Sequence, residues 1–245
     1  MTNGTLVICG DVTITNTLSL SSNDTLIIHG TLNVPEILFL YSGAQLVNYG
    51  TLNITGPAGI NVGQGGPVAF INYGDVNVQG EFEVFIYGTV SNYGELSTAG
   101  TLINSGIFVN EGIVTANTWN NMSASTFTNN CTVDVTGDVD IQNNSTATLS
   151  GTITVDGKLQ LRSALITVNN ADISADELYF ESTTINDIAS QGGCSRIKSA
   201  TNTNFYTNTS TGILNGNISL CNQGTLTNDS YSVFTNGAGF NCNCT

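Results

Sequence analysis

Short segments in which apolar and polar residues alternate recur along the first two thirds of the chain. Each begins with a glycine; in most, the second and fourth residues after it are aliphatic, and those between them are Asp, Thr or Asn. The clearest are GDVTI, GTLNV, GTLNI, GDVNV, GDVDI and GTITV, which begin at Gly10, Gly30, Gly50, Gly74, Gly137 and Gly151. Alternation with a period of two predicts β-strands with one buried face.

These segments recur with a period near 20 residues, which indicates a repeat architecture. Successive glycines are 20, 20, 24, 20, 18, 25 and 14 residues apart when GELST at Gly94 and GIVTA at Gly112 are included. We expect each coil to hold two short strands joined at a glycine corner. A single coil cannot bury its inner face, so coils must stack about 4.8 Å apart. The sequence therefore predicts an all-β fold, a right-handed parallel β-helix (β-solenoid) of about ten to twelve coils of about 20 residues.

The tripeptide NYG ends three of these repeats, and NSG and NEG are related to it. Their asparagines are Asn48, Asn72, Asn92, Asn104 and Asn110. Asparagine and glycine both tolerate left-handed backbone, which favours a corner. Asparagines at equivalent positions can also form an amide ladder along the stack, which we predict. A stack of tyrosines is the less favoured alternative, because only Tyr49, Tyr73 and Tyr93 recur in register.

The repeats define the organisation of the chain. Residues 56–67 lengthen one spacing to 24, and their glycines and prolines predict a loop at a corner. The pattern weakens after Lys158, but residues 170–187 contain many β-formers and are predicted as strand. We divide the chain into a solenoid body, residues 1–190, and continuing coils with a cysteine-containing C-terminal cap, residues 191–245. A cap is expected because the last coil otherwise leaves an open strand edge.

Charge limits the partners. The 245 residues include 4 Lys and Arg against 18 Asp and Glu, with a formal net charge of -14, and the first 157 residues contain no Lys or Arg. Binding to a phosphate backbone requires such cations, so we expect no nucleic-acid partner. No apolar run approaches the roughly 18 residues of a membrane span, so we expect no membrane insertion.

Cysteine usage bears on the compartment. The six cysteines form no C-x-x-C pair, and the chain has one histidine, so no zinc site has the usual spacing. An even count without metal spacing favours disulfides and an oxidising compartment, although buried free thiols are the alternative. Cys194 and Cys221 are the best candidates for a bridge, because they lie 27 residues apart, close to one coil. We therefore expect the protein outside the cell or on its surface.

The segments GDVTITN, GTLNV and LVNYGTLNI resemble secreted bacterial surface proteins built on a parallel β-helix, in particular the long cell-surface proteins of gliding Bacteroidota. The resemblance covers about residues 4–160 and is one of style, without a catalytic signature. It implies export and a role in adhesion or in a surface coat. It assigns no functional residues.

Candidate catalytic residues are few. Polysaccharide lyases of the parallel β-helix fold use Lys or Arg against a uronate, and Lys158 and Arg162 are the cations nearest the repeats. Glycoside hydrolases use two carboxylates, for which Glu81 and Glu83 are a candidate pair. We interpret both pairs as solvated surface. His29 lies beside a corner glycine without a nucleophile motif, so we expect a structural role.

Two further candidates concern metal and sugar. Asp134, Asp138 and Asp140 lie in the segment DVTGDVD and could serve as hydrolase carboxylates or hold Ca²⁺, but they lack the spacing of known calcium loops. No other cofactor is predicted. Trp119 lies in a polar segment, so we expect it to be exposed, where it could stack on a sugar, although a single aromatic is more often a packing residue.

Together these patterns favour a non-catalytic structural or adhesive protein of a bacterial surface: a stalk, a coat or filament subunit, or an adhesin segment. The expected partners are further copies of the chain, joined end to end or laterally, or surface glycans. The main alternative is a glycan-binding or glycan-cleaving β-helix. Ice binding is a more distant alternative, because T-x-T occurs at residues 13–17 and 152–154 but not after Gly30, Gly50 or Gly74.

Overall fold

The computed structural model describes residues 4–21, 23–122, 124–188, 195–206, 213–215, 218–222, 225–228, 233–235 and 239–240. Two compact units are present, unit 1 (Met1–Thr118) and unit 2 (Trp119–Thr245). All regular elements in the described ranges are β-strands, which confirms the predicted all-β class. The described residues include no helix that is long and apolar enough to cross a membrane.

Unit 1 is a parallel β-solenoid with three strands in each coil. Its strands are β1 (Thr5–Ile8), β2 (Asp11–Thr13), β3 (Leu18–Leu20), β4 (Thr25–Ile28), β5 (Thr31–Val34), β6 (Leu38–Tyr41), β7 (Gln45–Asn48), β8 (Thr51–Ile54), β9 (Ile60–Gln64), β10 (Val68–Asn72), β11 (Asp75–Val78), β12 (Phe82–Val84), β13 (Gly88–Asn92), β14 (Glu95–Asn104), β15 (Ile107–Asn110) and the first part of β16 (Ile113–Asn121).

Parallel pairing sorts these strands into three faces. The first face consists of β1, β4, β7, β10, β13 and β15. The second consists of β2, β5, β8, β11 and the first half of β14. The third consists of β3, β6, β9, β12 and the second half of β14. Equivalent residues of successive coils therefore lie above one another, about one strand spacing apart.

Unit 2 repeats this three-faced arrangement. Its strands are the end of β16, β17 (Thr126–Asn129), β18 (Thr132–Val135), β19 (Val139–Gln142), β20 (Thr146–Arg162), β21 (Leu165–Glu181), β22 (Thr184–Asp187), β23 (Ser195–Ser199), β24 (Thr203–Tyr206), β25 (Ile213–Asn215), β26 (Ile218–Asn222), β27 (Leu226–Asn228), β28 (Val233–Thr235) and β29 (Gly239–Phe240). The long strands β20 and β21 pair with each other along all three faces. Residues 170–187 are thus largely strand, as predicted.

The expectation of two strands per coil is wrong. The pattern built on the second-face glycines missed the third-face strands: β6 and β12 have no glycine directly before them, and the glycine before β9, Gly59, does not belong to that series. The predicted loop at residues 56–67 contains one of these strands, β9. Gly137 was also assigned to the wrong column, because it precedes the third-face strand β19. Cys131 takes the glycine position before β18, with Gly151 stacked on it in the next coil.

The interior of each unit is an apolar core shared by its coils, as the alternation predicts. Inward residues of the second face are almost inaccessible: Leu32, Val34, Leu52, Ile54, Val76, Val78, Val133, Val135, Ile153 and Val155 are each at most 2% exposed. Burial of such side chains stabilises each coil by roughly 1.5–3 kcal/mol per residue. Val12 is in register with Leu32 but is 39% exposed, because β5 is the only described strand that pairs with β2.

The predicted division at residue 190 is only partly covered by the described residues. Strands β23 to β29 continue the pairing of unit 2 beyond that point. The proposed cysteine-containing cap includes residues 241–245, which lie outside the described ranges.

Candidate binding surface

Four aromatic side chains form a column on the surface of unit 1, at the corner between the first and second faces. His29, Tyr49, Tyr73 and Tyr93 stack in that order, with ring centroids 5.0 Å apart at each step and interplanar angles of 6°, 4° and 10°. The tyrosines are 48–51% exposed. The stack of tyrosines, which the sequence made the less favoured alternative, is therefore present, and His29 extends it.

A buried ladder of asparagine amides lies directly behind this ring column. The Nδ2 of Asn48 donates to Oδ1 of Asn72, Asn72 to Asn92, and Asn92 to Asn110, each at 2.8 Å. All four asparagines are fully buried. The predicted ladder is confirmed at these positions, but Asn104 is not part of it, because it lies on the third face beside Val84.

The ladder also satisfies the backbone at the corner. Asn72 Nδ2 lies 2.9 Å from the carbonyl oxygen of Gly74 and 3.0 Å from that of Glu95 in the next coil. Asn92 makes the same two contacts with Gly94 and Ile113. The carbonyl oxygen of Gly74 also accepts from the backbone N–H of Glu95, so the amide is a second donor there, and its bond to Glu95 secures one turn of the chain to the next. The amides of the NYG motif therefore stabilise the fold, and the rings beside them are exposed.

The ring column presents edges and hydroxyl groups to the solvent. Because each inner ring has a neighbour 5.0 Å away on both sides, its flat faces are covered. Sugars stack on open ring faces, so the column is not a stacking platform for a glycan chain along its length. Its hydroxyl groups can form hydrogen bonds instead, and its ring edges can pack against an apolar surface.

A second amide row lies on the outer side of the second face. Asn77 donates to Asn53 at 3.0 Å, Asn53 to Asn33 at 2.9 Å, and Asn33 to the hydroxyl of Thr13 at 3.2 Å. This row is open to solvent, in contrast to the buried ladder. It gives the second face a regular polar surface without a groove.

Unit 2 carries threonines on the outer side of its first face. Thr126 pairs with Thr146 and Thr128 with Thr148, so two successive strands present T-x-T in register. Leu165 of β21 interrupts the row of Thr126 and Thr146, and Asn186 of β22 interrupts the row of Thr128 and Thr148. This pair of strands was not predicted, because T-x-T was sought mainly in the segments that begin with the second-face glycines.

The four cations of the chain are all engaged in ion pairs with acidic side chains. Lys158 Nζ lies 3.4 Å from Glu177, and Arg196 and Lys198 lie 2.8 and 3.1 Å from Asp172. Arg162 pairs with Asp140 through both Nε and Nη2. The lyase hypothesis requires an unpaired Lys or Arg for a uronate, and neither Lys158 nor Arg162 meets that requirement.

The contacts of Arg162 determine the direction in which the pKa of its guanidinium is shifted. Its hydrogen bond to Asp140 raises the pKa of the guanidinium above its ordinary value, partial burial opposes this, and the charges of Asp140 and Glu181 add to the rise. The bond to Asp140 therefore stabilises the charged form of the Arg162 guanidinium.

The three aspartates proposed for calcium point to different places. Asp134 lies on the second face in β18, whereas Asp140 lies on the third face in β19. Asp138 accepts a hydrogen bond from the backbone N–H of Lys158 at 2.8 Å. Gln142 and Arg162 both donate to Asp140. Among the described residues, no three His, Cys, Asp or Glu side chains lie close enough to hold a metal ion.

Glu81 and Glu83 differ in environment. Glu81 lies at the exposed corner before β12, and Glu83 is half-buried on the outer side of that strand, between Asn61 and Ile103 of the adjacent coils. Burial raises the pKa of Glu83 above its ordinary value of 4.5, and the charge of Glu81 raises it further. Neither neighbour supplies a positive charge or an acid–base partner.

The raised pKa of Glu83 predicts a measurable effect on stability. The folded state holds its proton more tightly than the unfolded state, so the ionised carboxylate destabilises the fold as pH rises above 4.5. We expect Glu83→Gln to raise the melting temperature at pH 7, and this gain to disappear below pH 4.5. Thermal denaturation at both pH values measures it. Glu81→Gln should give a smaller gain, and a gain for Glu83→Gln that is equal at both pH values would contradict the assignment.

Trp119 is not the exposed residue that the sequence predicted. It is 1% exposed and packs on Phe127, with ring centroids 4.1 Å apart. The prediction followed its polar neighbours, but those residues alternate with it and face outward. A sugar cannot reach this ring.

The proposed disulfide stays a prediction. Cys194 lies outside the described residues, and Cys221 is buried in β26. Cys9 and Cys131 are free thiols, but Cys9 is exposed and Cys131 is half-buried, so they do not match the buried thiols of the alternative interpretation.

Comparison of the chain with models of protein families, with curated proteins and with solved structures finds no match.

Proposed function

We propose that the protein is a non-catalytic structural or adhesive component of a bacterial surface, present as a stalk, a coat or filament subunit, or an adhesin segment. The observation that carries the proposal is the use of its polar side chains. The cations are held in ion pairs, the NYG amides form a buried ladder, and the exposed rings stack on one another. Groups that an enzyme would direct at a substrate are here directed at the next coil.

The regular outer faces support the same proposal. A stack of coils presents side chains at a constant spacing of about 4.8 Å, which favours extended contact with another regular surface over capture of a small molecule in a pocket. The high negative charge maintains solubility of such a long exposed surface through self-repulsion.

Two experiments test the proposal. Immunogold electron microscopy of the cells that produce the protein should place the label on the outer surface, and label confined to the cytoplasm would contradict it. Incubation with neutral and uronic-acid polysaccharides should release no reducing ends and no unsaturated products. Turnover that Glu83→Gln or Arg162→Gln abolishes would establish an enzyme instead.

Glycan binding is the second candidate function, and the exposed ring column beside the second-face amide row favours it. Tyrosine hydroxyl groups and asparagine amides are common hydrogen-bond partners of sugars. A glycan array tests it. Binding that Tyr73→Ala and Asn53→Ala both weaken would support this candidate, and binding unaffected by either would place the contact elsewhere.

A further inference from the structure

The outer side of the first face of unit 1 carries no charge. Two rows of side chains point outward there, six residues in each. The first row is Thr5, Thr25, Gln45, Ala69, Thr89 and Ile107, and the second is Val7, Ile27, Val47, Ile71, Ser91 and Val109. Five of the six residues in the second row are aliphatic. Val7 and Ile107 are 48% and 46% exposed, so this face presents apolar surface to the solvent.

None of the acidic residues of unit 1 lies in these two rows, and only Asp24 and Glu111 lie at the corners beside them. The acidic residues are Asp11, Asp24, Glu36, Asp75, Glu81, Glu83, Glu95 and Glu111, and unit 1 contains no Lys or Arg. Two copies of the unit therefore repel each other in most orientations. The repulsion is weakest when the uncharged faces meet, because neither face has an acid within its two rows.

The same charge pattern disfavours other occupants. A cationic partner would bind where the acids are, on the second and third faces. An anionic lipid or nucleic-acid surface would find no cation in unit 1. A glycan would find aliphatic side chains in place of hydrogen-bond partners along the second row. A second copy of the same face matches it, because it has the same uncharged, partly aliphatic surface and the same spacing between strands.

We infer that a second copy of this chain packs the first face of its unit 1 against the same face of this one, as a two-fold symmetric pair. Two flat β-faces pack about 10 Å apart, with the aliphatic rows of each interdigitating. The ring column at the corner lies beside the two rows and adds to the area of the contact. The inference gives the proposed structural function a specific lateral contact, and it depends on that function for its biological role.

The size of the face predicts a weak contact. Six strands about 4.8 Å apart and about 15 Å long, with the ring column beside them, give each copy roughly 400–500 Å². The pair would bury somewhat less than the 1,200–2,000 Å² of a stable complex, so the dimer should form reversibly with concentration.

Sedimentation equilibrium over a range of protein concentrations tests the inference. The average mass should rise from 25.6 kDa toward twice that value as concentration increases. Added salt should strengthen the dimer, because it screens the repulsion between two acidic molecules and weakens no ion pair in the contact. A wild-type protein that stays monomeric throughout, or a dimer that salt dissociates, would overturn it.

Substitutions locate the contact. Ile71→Glu places a charge at the centre of the face, opposite its own copy, and should weaken association by about tenfold or more. Ser97→Glu adds the same charge on the outer side of the second face and should leave association unchanged. The double substitution Val47→Thr with Ile71→Thr introduces no charge and favours strand, so it should also weaken association while the protein stays folded.

Equal effects of Ile71→Glu and Ser97→Glu would show that the contact lies elsewhere. Failure of the inference is distinguishable from failure of the proposed function. A monomeric protein found on the cell surface would remove the lateral pair and leave the structural or adhesive role intact.

Discussion

Replacing Gly74 with alanine should destabilise unit 1 by about 3 kcal/mol or more. Gly74 stacks on Gly50 of the preceding coil, and a Cβ atom there would lie far inside van der Waals contact of the Gly50 carbonyl oxygen. That oxygen accepts the hydrogen bond of Asp75 at 2.9 Å, so the backbone cannot move away without loss of the pairing. Urea denaturation followed by circular dichroism measures the change.

Gly10 provides a matched control for this prediction. It occupies the same column, but a Cβ atom there would meet nothing within 4 Å. Gly10→Ala should therefore change the free energy of unfolding by less than about 0.5 kcal/mol. If both substitutions lowered the denaturation midpoint equally, the effect would come from glycine itself and not from the close approach of the coils.

Replacing Asn72 with alanine should destabilise unit 1 by about 2–4 kcal/mol. The substitution removes the donor to Asn92 and to the carbonyl oxygens of Gly74 and Glu95, and the acceptor for Asn48. These groups are buried, so water replaces the lost amide poorly. The denaturation midpoint of the purified variant checks this.

Asn77→Ala is the control for the buried ladder. Asn77 makes one hydrogen bond, to Asn53 in the outer row, where water is available. Its loss should cost less than about 0.5 kcal/mol. Similar losses for Asn72→Ala and Asn77→Ala would contradict the view that burial gives the ladder its strength.

Most of the fold follows from two properties of the sequence, the alternation and the period. Leu32, Leu52 and Val76 were correctly placed inside, since a strand with one buried face repeats every second residue. The third face could not be predicted in the same way, because LFLY at residues 38–41 has no glycine before it and no polar alternation. The column of Gly residues was followed correctly as far as Gly112 and lost at Cys131, where the residue type changes while the backbone position does not.

The candidate surface was only partly predictable. The amide ladder was predicted from the spacing of the NYG motifs, whereas the tyrosine stack was only the less favoured alternative. Once coils stack in register, their spacing alone brings residues such as Tyr49 and Tyr73 within stacking distance, so few repeats are needed. The ion pair between Arg162 and Asp140 joins residues 22 apart in the chain. Such a contact depends on the register of the third face, which the sequence did not reveal.

The use of the repeated amides to join coils is the central claim, and side-chain hydrogen exchange measured by NMR tests it most directly. The Nδ2 protons of Asn72 and Asn92 should exchange many times more slowly than those of Asn53 and Asn77, because only the first pair is buried between coils. Equally rapid exchange at all four side chains would contradict the account, since it would show that the NYG amides face water and are free to bind something else.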